Sequence, residues 1–179
     1  MFLKNYYKAV AISLEGGGSA TENKLTNYSG SSTKPSNFVD AINRLTPTMC
    51  DYSYFASITR MSTTISTSYP GIIIGTGDTP PTLDDYCMSG DLITSFTSSV
   101  VPTYECNDSG ATLTALCTIT NSGSKAFTIR EVGVFGKAGS SSSASDACLV
   151  ERTVLDTPLT IEPSGVGQLT YTIKFNYPT

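Results

Sequence analysis

This chain of 179 residues contains no histidine, and only 15% of it is charged. Without histidine, no side chain ordinarily changes charge near neutral pH, so acid–base work would fall to carboxylates, lysine or tyrosine. A Ser-His catalytic pair and the mixed Cys/His zinc sites are excluded with it. The five cysteines, Cys50, Cys87, Cys106, Cys117 and Cys148, have no CxxC spacing and an odd total. That argues against an all-cysteine metal site and against a purely intrachain disulfide framework, so free thiols are the expectation. Basic residues form no stripe. Lys4, Lys8, Lys24 and Lys34 are strung out singly and the net charge is −4, which speaks against a nucleic-acid partner held through phosphates. No apolar run is long enough to cross a bilayer, so no membrane partner is expected. Lys4, Asn5 and Lys8 interrupt the apolar residues of segment 1–14. No secretion signal is read there, and synthesis in a cytoplasm is the expectation.

The missing charge is replaced by Ser, Thr, Gly and Asn, with ten Tyr and nine Pro. Thr and Tyr suit pleated surfaces, and Gly, Pro, Asn and Ser suit reversals. The length fits one domain with a sizeable core. Residues 5–14 read as a strand, 16–34 as a Gly/Ser-rich loop or arm, and Ser36 as the cap of a short helix with Phe38, Ile42 and Leu45 on one face, stopped by Pro47. Segment 52–65 reads as strand after a turn. Gly71 and Gly75 bound an apolar strand, Ile72-Ile73-Ile74; a Pro80-Pro81 turn follows, then one helical turn over 83–86.

The second half alternates more plainly. Leu113, Ala115, Cys117 and Ile119 share one strand face opposite Thr114, Leu116 and Thr118. After a turn at 121–124, residues 127–135 return as a strand, with Phe127 and Ile129 on one face; a bulge near Glu131-Val132-Gly133 would flip the alternation. Residues 139–146 read as an exposed hairpin loop, and 148–155 and 169–175 as the last strands. The fold class expected is all-β: an antiparallel sandwich, jelly-roll-like or immunoglobulin-like, with one short helix and a flexible N-terminal arm. Residues 71–179 would form its core, with 1–70 belonging to the same domain or serving as an assembly arm.

Candidate chemistry is thin. Asp78, Asp84, Asp85 and Asp91 form the densest acidic cluster. They lack the alternating ligand spacing and closing acidic residue of a calcium loop, and structural roles suit them better: a turn, the cap of a helical turn, the start of a strand. The only carboxylate pair worth testing for hydrolysis is Asp78 with Asp84 or Asp85. Gly75-Thr76-Gly77 lacks the third glycine and the Lys of a phosphate loop. Asn27-Tyr28-Ser29 and Asn107-Asp108-Ser109 match the glycosylation pattern by chance. Tyr6-Tyr7, Tyr52 and Tyr54 read as sheet or interface residues, although they could stack on sugars or bases. No residue is assigned a catalytic, cofactor-binding or metal-binding role, and no enzyme is expected.

Two strings form a pattern. Residues 74–86, IGTGDTPPTLDDY, resemble an apolar strand, "GTG", a proline turn, then an acidic residue and a leucine, a recurrent element of tailed-bacteriophage virion proteins. Residues 127–135, FTIREVGVF, are similar to the I-x-E-x-G-L-F strand of the same proteins, and 149–155 and 169–175 to their last two strands. The resemblance covers residues 72–178. It implies a non-enzymatic virion component of the tail, neck or fibre, acting by oligomerisation and by docking to other virion proteins. The alternatives are a capsid decoration or head-fibre protein, and a carbohydrate-binding adhesin module that takes a host surface glycan. Glu131 would lie at a strand edge and meet another backbone, with no catalytic part.

Overall fold

The computed structural model describes residues 25–33, 60–65, 71–107, 110–137 and 147–176. The expected strand 5–14, the helix after Ser36, the loop 139–146, most of the arm 16–34 and most of the strand 52–65 lie outside them. Among the described residues there is no helix. Two short strands, β1 (Leu25–Thr26) and β2 (Ser32–Thr33), form a hairpin. Six longer ones follow: β3 (Gly71–Gly75), β4 (Phe96–Asn107), β5 (Gly110–Asn121), β6 (Phe127–Lys137), β7 (Ala147–Ile161) and β8 (Val166–Asn176). They make two antiparallel three-stranded sheets, in the orders β3-β6-β7 and β4-β5-β8.

Period-two alternation decides which side chains meet between the sheets. From β5 come Leu113, Ala115, Cys117 and Ile119, and from β8 Leu169, Tyr171 and Ile173; these join Ile72, Ile74, Ile129, Val132 and Val134 of the other sheet in one buried cluster. Ile73 points the opposite way, into a second cluster with Met88, Phe135, Ala147 and Leu149, against which Tyr28, Ile65 and Leu92 pack. The apolar run of β3 is therefore continuous because both of its faces are covered. A fully buried side chain of this size contributes about 1.5–3 kcal/mol, so the covering segment 76–95 is an integral third layer.

Four details depart from the sequence reading. Phe96–Asn107 is a full strand, β4, although Ser, Thr and Pro102 fill it; Pro102 is tolerated because β4 is an edge. The segment after Pro81 is a single turn, in which the Asp85 amide donates to the Thr82 carbonyl (3.2 Å), and no helix forms. β7 runs on past Leu155 to Ile161. Asp91 precedes an isolated bridge from Leu92 to Gly75 and starts no longer strand.

Two irregularities interrupt the β6–β7 ladder. Ile129 pairs with Leu159 but Glu131 with Val154, so Arg130 alone faces the stretch that contains Pro158; a second shift falls between Val134 and Phe135. The first one reverses the phase. Ile129 and Val132 both point into the inter-sheet core, which turns Glu131 to the outer side with Gly133 and Phe135. At one end Asn121 ties two turns together: its Nδ2 donates to the carbonyls of Lys125 (2.9 Å) and Ile161 (3.0 Å), and its Oδ1 accepts from the Gly123 amide.

Candidate functional site

Glu131 is the centre of the polar network on the outer face of β3-β6-β7. Its side chain is fully buried. Oε1 accepts from the amides of Gly77 (3.1 Å) and Gly90 (2.8 Å), and Oε2 from the amide (3.0 Å) and hydroxyl (3.0 Å) of Ser89. Arg152, 1% exposed, donates from Nη1 to Glu131 Oε2 at 2.7 Å, from Nε to Asp85 Oδ2 at 2.9 Å, and from Nη2 to the Thr79 carbonyl at 2.8 Å. One carboxylate and one guanidinium thus hold both arms of segment 76–91 to the sheet. Burial pushes the Glu131 carboxyl up, but the Ser89 and Gly90 amides and Arg152 outweigh it and hold it below the usual range. Asp85 is likewise held low by its Thr82 bonds and Arg152 against some desolvation. Both stay ionised at neutral pH.

Glycine makes this approach possible. A Cβ on Gly77 would lie 2.0 Å from Ser89 Oγ and 2.5 Å from Glu131 Oε1, and one on Gly133 would lie 2.8 Å from Met88 Sδ. Gly75-Thr76-Gly77 cradles the Glu131 carboxylate, and Gly133 makes room for Met88. Contrary to the expectation of an edge, Glu131 stands on the central strand β6. The backbone it meets is that of the covering segment.

The other candidates disperse. Asp78, Asp84 and Asp91 are exposed while Asp85 is drawn into the Arg152 pair. Among the described residues no three Asp, Glu or Cys side chains converge where a metal ion would sit. Asn27 is buried and its Oδ1 accepts from Ser29 and Ser31, an Asx-type turn with no opening for a sugar. The Tyr28 hydroxyl accepts from the Met88 amide (3.1 Å), and burial raises its pKa to about 12. Cys87, Cys117 and Cys148 are free thiols; burial raises the pKa of Cys117 to about 11. Tyr6, Tyr7, Tyr52, Tyr54 and Cys50 lie outside the described residues.

A cleft of about 440 Å³ opens between β7 and β8, lined among others by Glu151, Thr153, Leu169, Tyr171 and Lys174. Glu151 is its single lining carboxylate among the described residues; it accepts from Thr153 Oγ1 (2.7 Å) and from the Tyr171 hydroxyl, and burial raises its pKa. One carboxylate engaged in this way does not form the facing pair that glycoside hydrolysis needs.

The outer face of β4-β5-β8 is not covered by another strand or loop among the described residues. Its ladder pairs place Thr97, Thr103, Thr112, Thr114, Thr118, Thr120, Thr170 and Thr172 there, with Ser99 and Gln168. Val101, Leu116 and Val166 stand among them at 57%, 38% and 64% exposure. Glu105 and Lys174 are the two charges on this face, at opposite ends of one row through Thr112.

No family model, no curated protein and no solved structure matches this chain. The site therefore rests on geometry alone. Arg152 escaped the sequence reading, yet a signal for it exists. Glu131, Glu151 and Arg152 are charges set inside strands otherwise rich in Ile, Val, Leu and Phe, and buried charges require partners.

Proposed function

We propose that the protein is a non-enzymatic structural subunit of a tailed-phage particle, of the tail, neck or fibre, acting by association with its own copies and with neighbouring virion proteins. In this reading its two sheets form a β-sandwich. The observation that carries it is the outer face of β4-β5-β8, a surface dominated by threonine with three exposed aliphatic side chains and a single charge of each sign. Such a face stays wet before assembly and has few charges to desolvate when another surface covers it. The Glu131–Arg152 network supports the same reading. It joins the "GTG" and "I-x-E-x-G" strings: the Gly77 amide of the first donates to the glutamate of the second, beside Ser89 and Gly90. Both strings thus serve one structural purpose, the fixing of a covering loop, and neither is spent on chemistry.

The test is quantitative mass spectrometry of particles purified from cells that express this gene. The chain is expected in a fixed stoichiometric ratio to the major particle proteins. Its loss from particles on density-gradient purification, with the protein left soluble, rejects the reading.

A further inference from the structure

We propose that the outer face of β4-β5-β8 stacks on the same face of a second copy, about a two-fold axis that runs along β5. This deepens the assembly reading above and rests on it. In the row Glu105–Thr112–Lys174 the opposite charges occupy the two outer strands and the neutral residue the middle one. A two-fold axis along the middle strand exchanges the outer strands, so Glu105 of each copy lies over Lys174 of the other, and two ion pairs form by symmetry. The same operation sets Leu116 against Leu116 at the centre, beside the exposed Val101. Aligned sheets keep their strand directions within about 30° of each other, which a two-fold axis along β5 satisfies, and lie about 10 Å apart, within the span of a glutamate and a lysine side chain.

Edge pairing through β4, an outer strand of its sheet among the described residues, is the weaker route for a second copy, because Pro102 sits in its middle and offers no amide to a ladder. From strand spacing and rise, the face covers roughly 450 Å² per copy, less than the ~800 Å² of a standard interface. The dimer is accordingly weak alone and is reinforced where other particle contacts hold copies together.

Sedimentation equilibrium on the full chain up to millimolar concentration tests it, with the charge variants E105K and K174E. Both positions are exposed, so circular dichroism should show each variant folded. Wild type is expected to be a monomer–dimer equilibrium that weakens with salt. Each single variant carries like charges at both ends of the row and should dissociate at least tenfold more readily. An equimolar mixture of E105K with K174E should associate as well as wild type, as should the double variant E105K/K174E. A wild-type chain that stays monomeric, a salt-indifferent trimer, or a mixture no more associated than its components overturns the contact. Those results leave particle incorporation to be decided by mass spectrometry; conversely, dimers of a chain absent from particles reject only the virion reading.

Discussion

Replacing Arg152 by methionine keeps most of the side-chain volume and removes the charge that faces Glu131. Glu131 would retain its bonds from Gly77, Ser89 and Gly90, but Asp85 and the Thr79 carbonyl would lose their partner, and a fully buried carboxylate would stand without a counter-ion. Removing one member of a buried ion pair costs about 3–5 kcal/mol. The four surviving bonds to Glu131 place this case near the lower end, about 3 kcal/mol. For a chain of this length that corresponds to a fall of roughly 6–12 °C in Tm, at about 2–4 °C per kcal/mol. Asp85→Asn is the internal comparison. The Asp85 side chain is 21% exposed, so water takes over part of its role and the loss should be about 1 kcal/mol or less. Urea unfolding followed by tyrosine fluorescence and far-ultraviolet circular dichroism gives both values, since the chain has ten Tyr and no Trp. The double variant Glu131→Met with Arg152→Met should cost clearly less than the two singles summed, because neither charge is then left alone. An Arg152→Met loss below about 1 kcal/mol, or additive singles, would refute the claim that this pair holds the covering loop.

Gly77→Ala should destabilise by about 2 kcal/mol or more in the same assay, because its Cβ meets Ser89 and Glu131 and must push the loop off; a neutral result contradicts the close approach. Glu131 has its carboxyl pKa lowered by folding, so its contribution is fully present above the unfolded value near 4.5 and is lost as pH falls through the folded one. Glu131→Gln should therefore flatten the acid limb of a stability-versus-pH curve. Glu151 has the opposite sign: its folded pKa is raised by burial, so stability declines as pH rises from the unfolded value to the folded one. Glu151→Gln should gain relative to wild type at neutral pH and match it in acid. Among Cys87, Cys117 and Cys148, a thiol reagent added to the native protein should modify Cys87 first and Cys117 only on unfolding, because Cys117 and Cys148 are buried and Cys87 is half-exposed. Peptide mapping of the labelled sites reads the order.

The sequence makes the buried strands legible where alternation is clean. Leu113, Ala115, Cys117 and Ile119, and later Leu169, Tyr171 and Ile173, show the period that puts them inside. β4 hides because Ser98 and Pro102 interrupt its inward series of Phe96, Val100 and Tyr104, while the apolar Val101 stands on the opposite face. Glu131 shows a partial signal. That its charge meets another backbone is readable from Gly133 beside it. Its position on a central strand is not, since strand order depends on pairings far apart in sequence, such as Ile73 with Gly133. The acidic cluster misleads in a simple way: four aspartates close in sequence look like one site, but Arg152, distant in sequence, captures only Asp85.

The most direct test of the assembly reading is an electron cryo-microscopy map of the intact particle, at a resolution that traces strands. The account predicts density for this chain at a symmetric position, with Val101, Leu116 and the threonines of β4-β5-β8 covered by a neighbouring subunit. A map in which no copy can be placed, or in which that face looks onto open solvent at every copy, contradicts it.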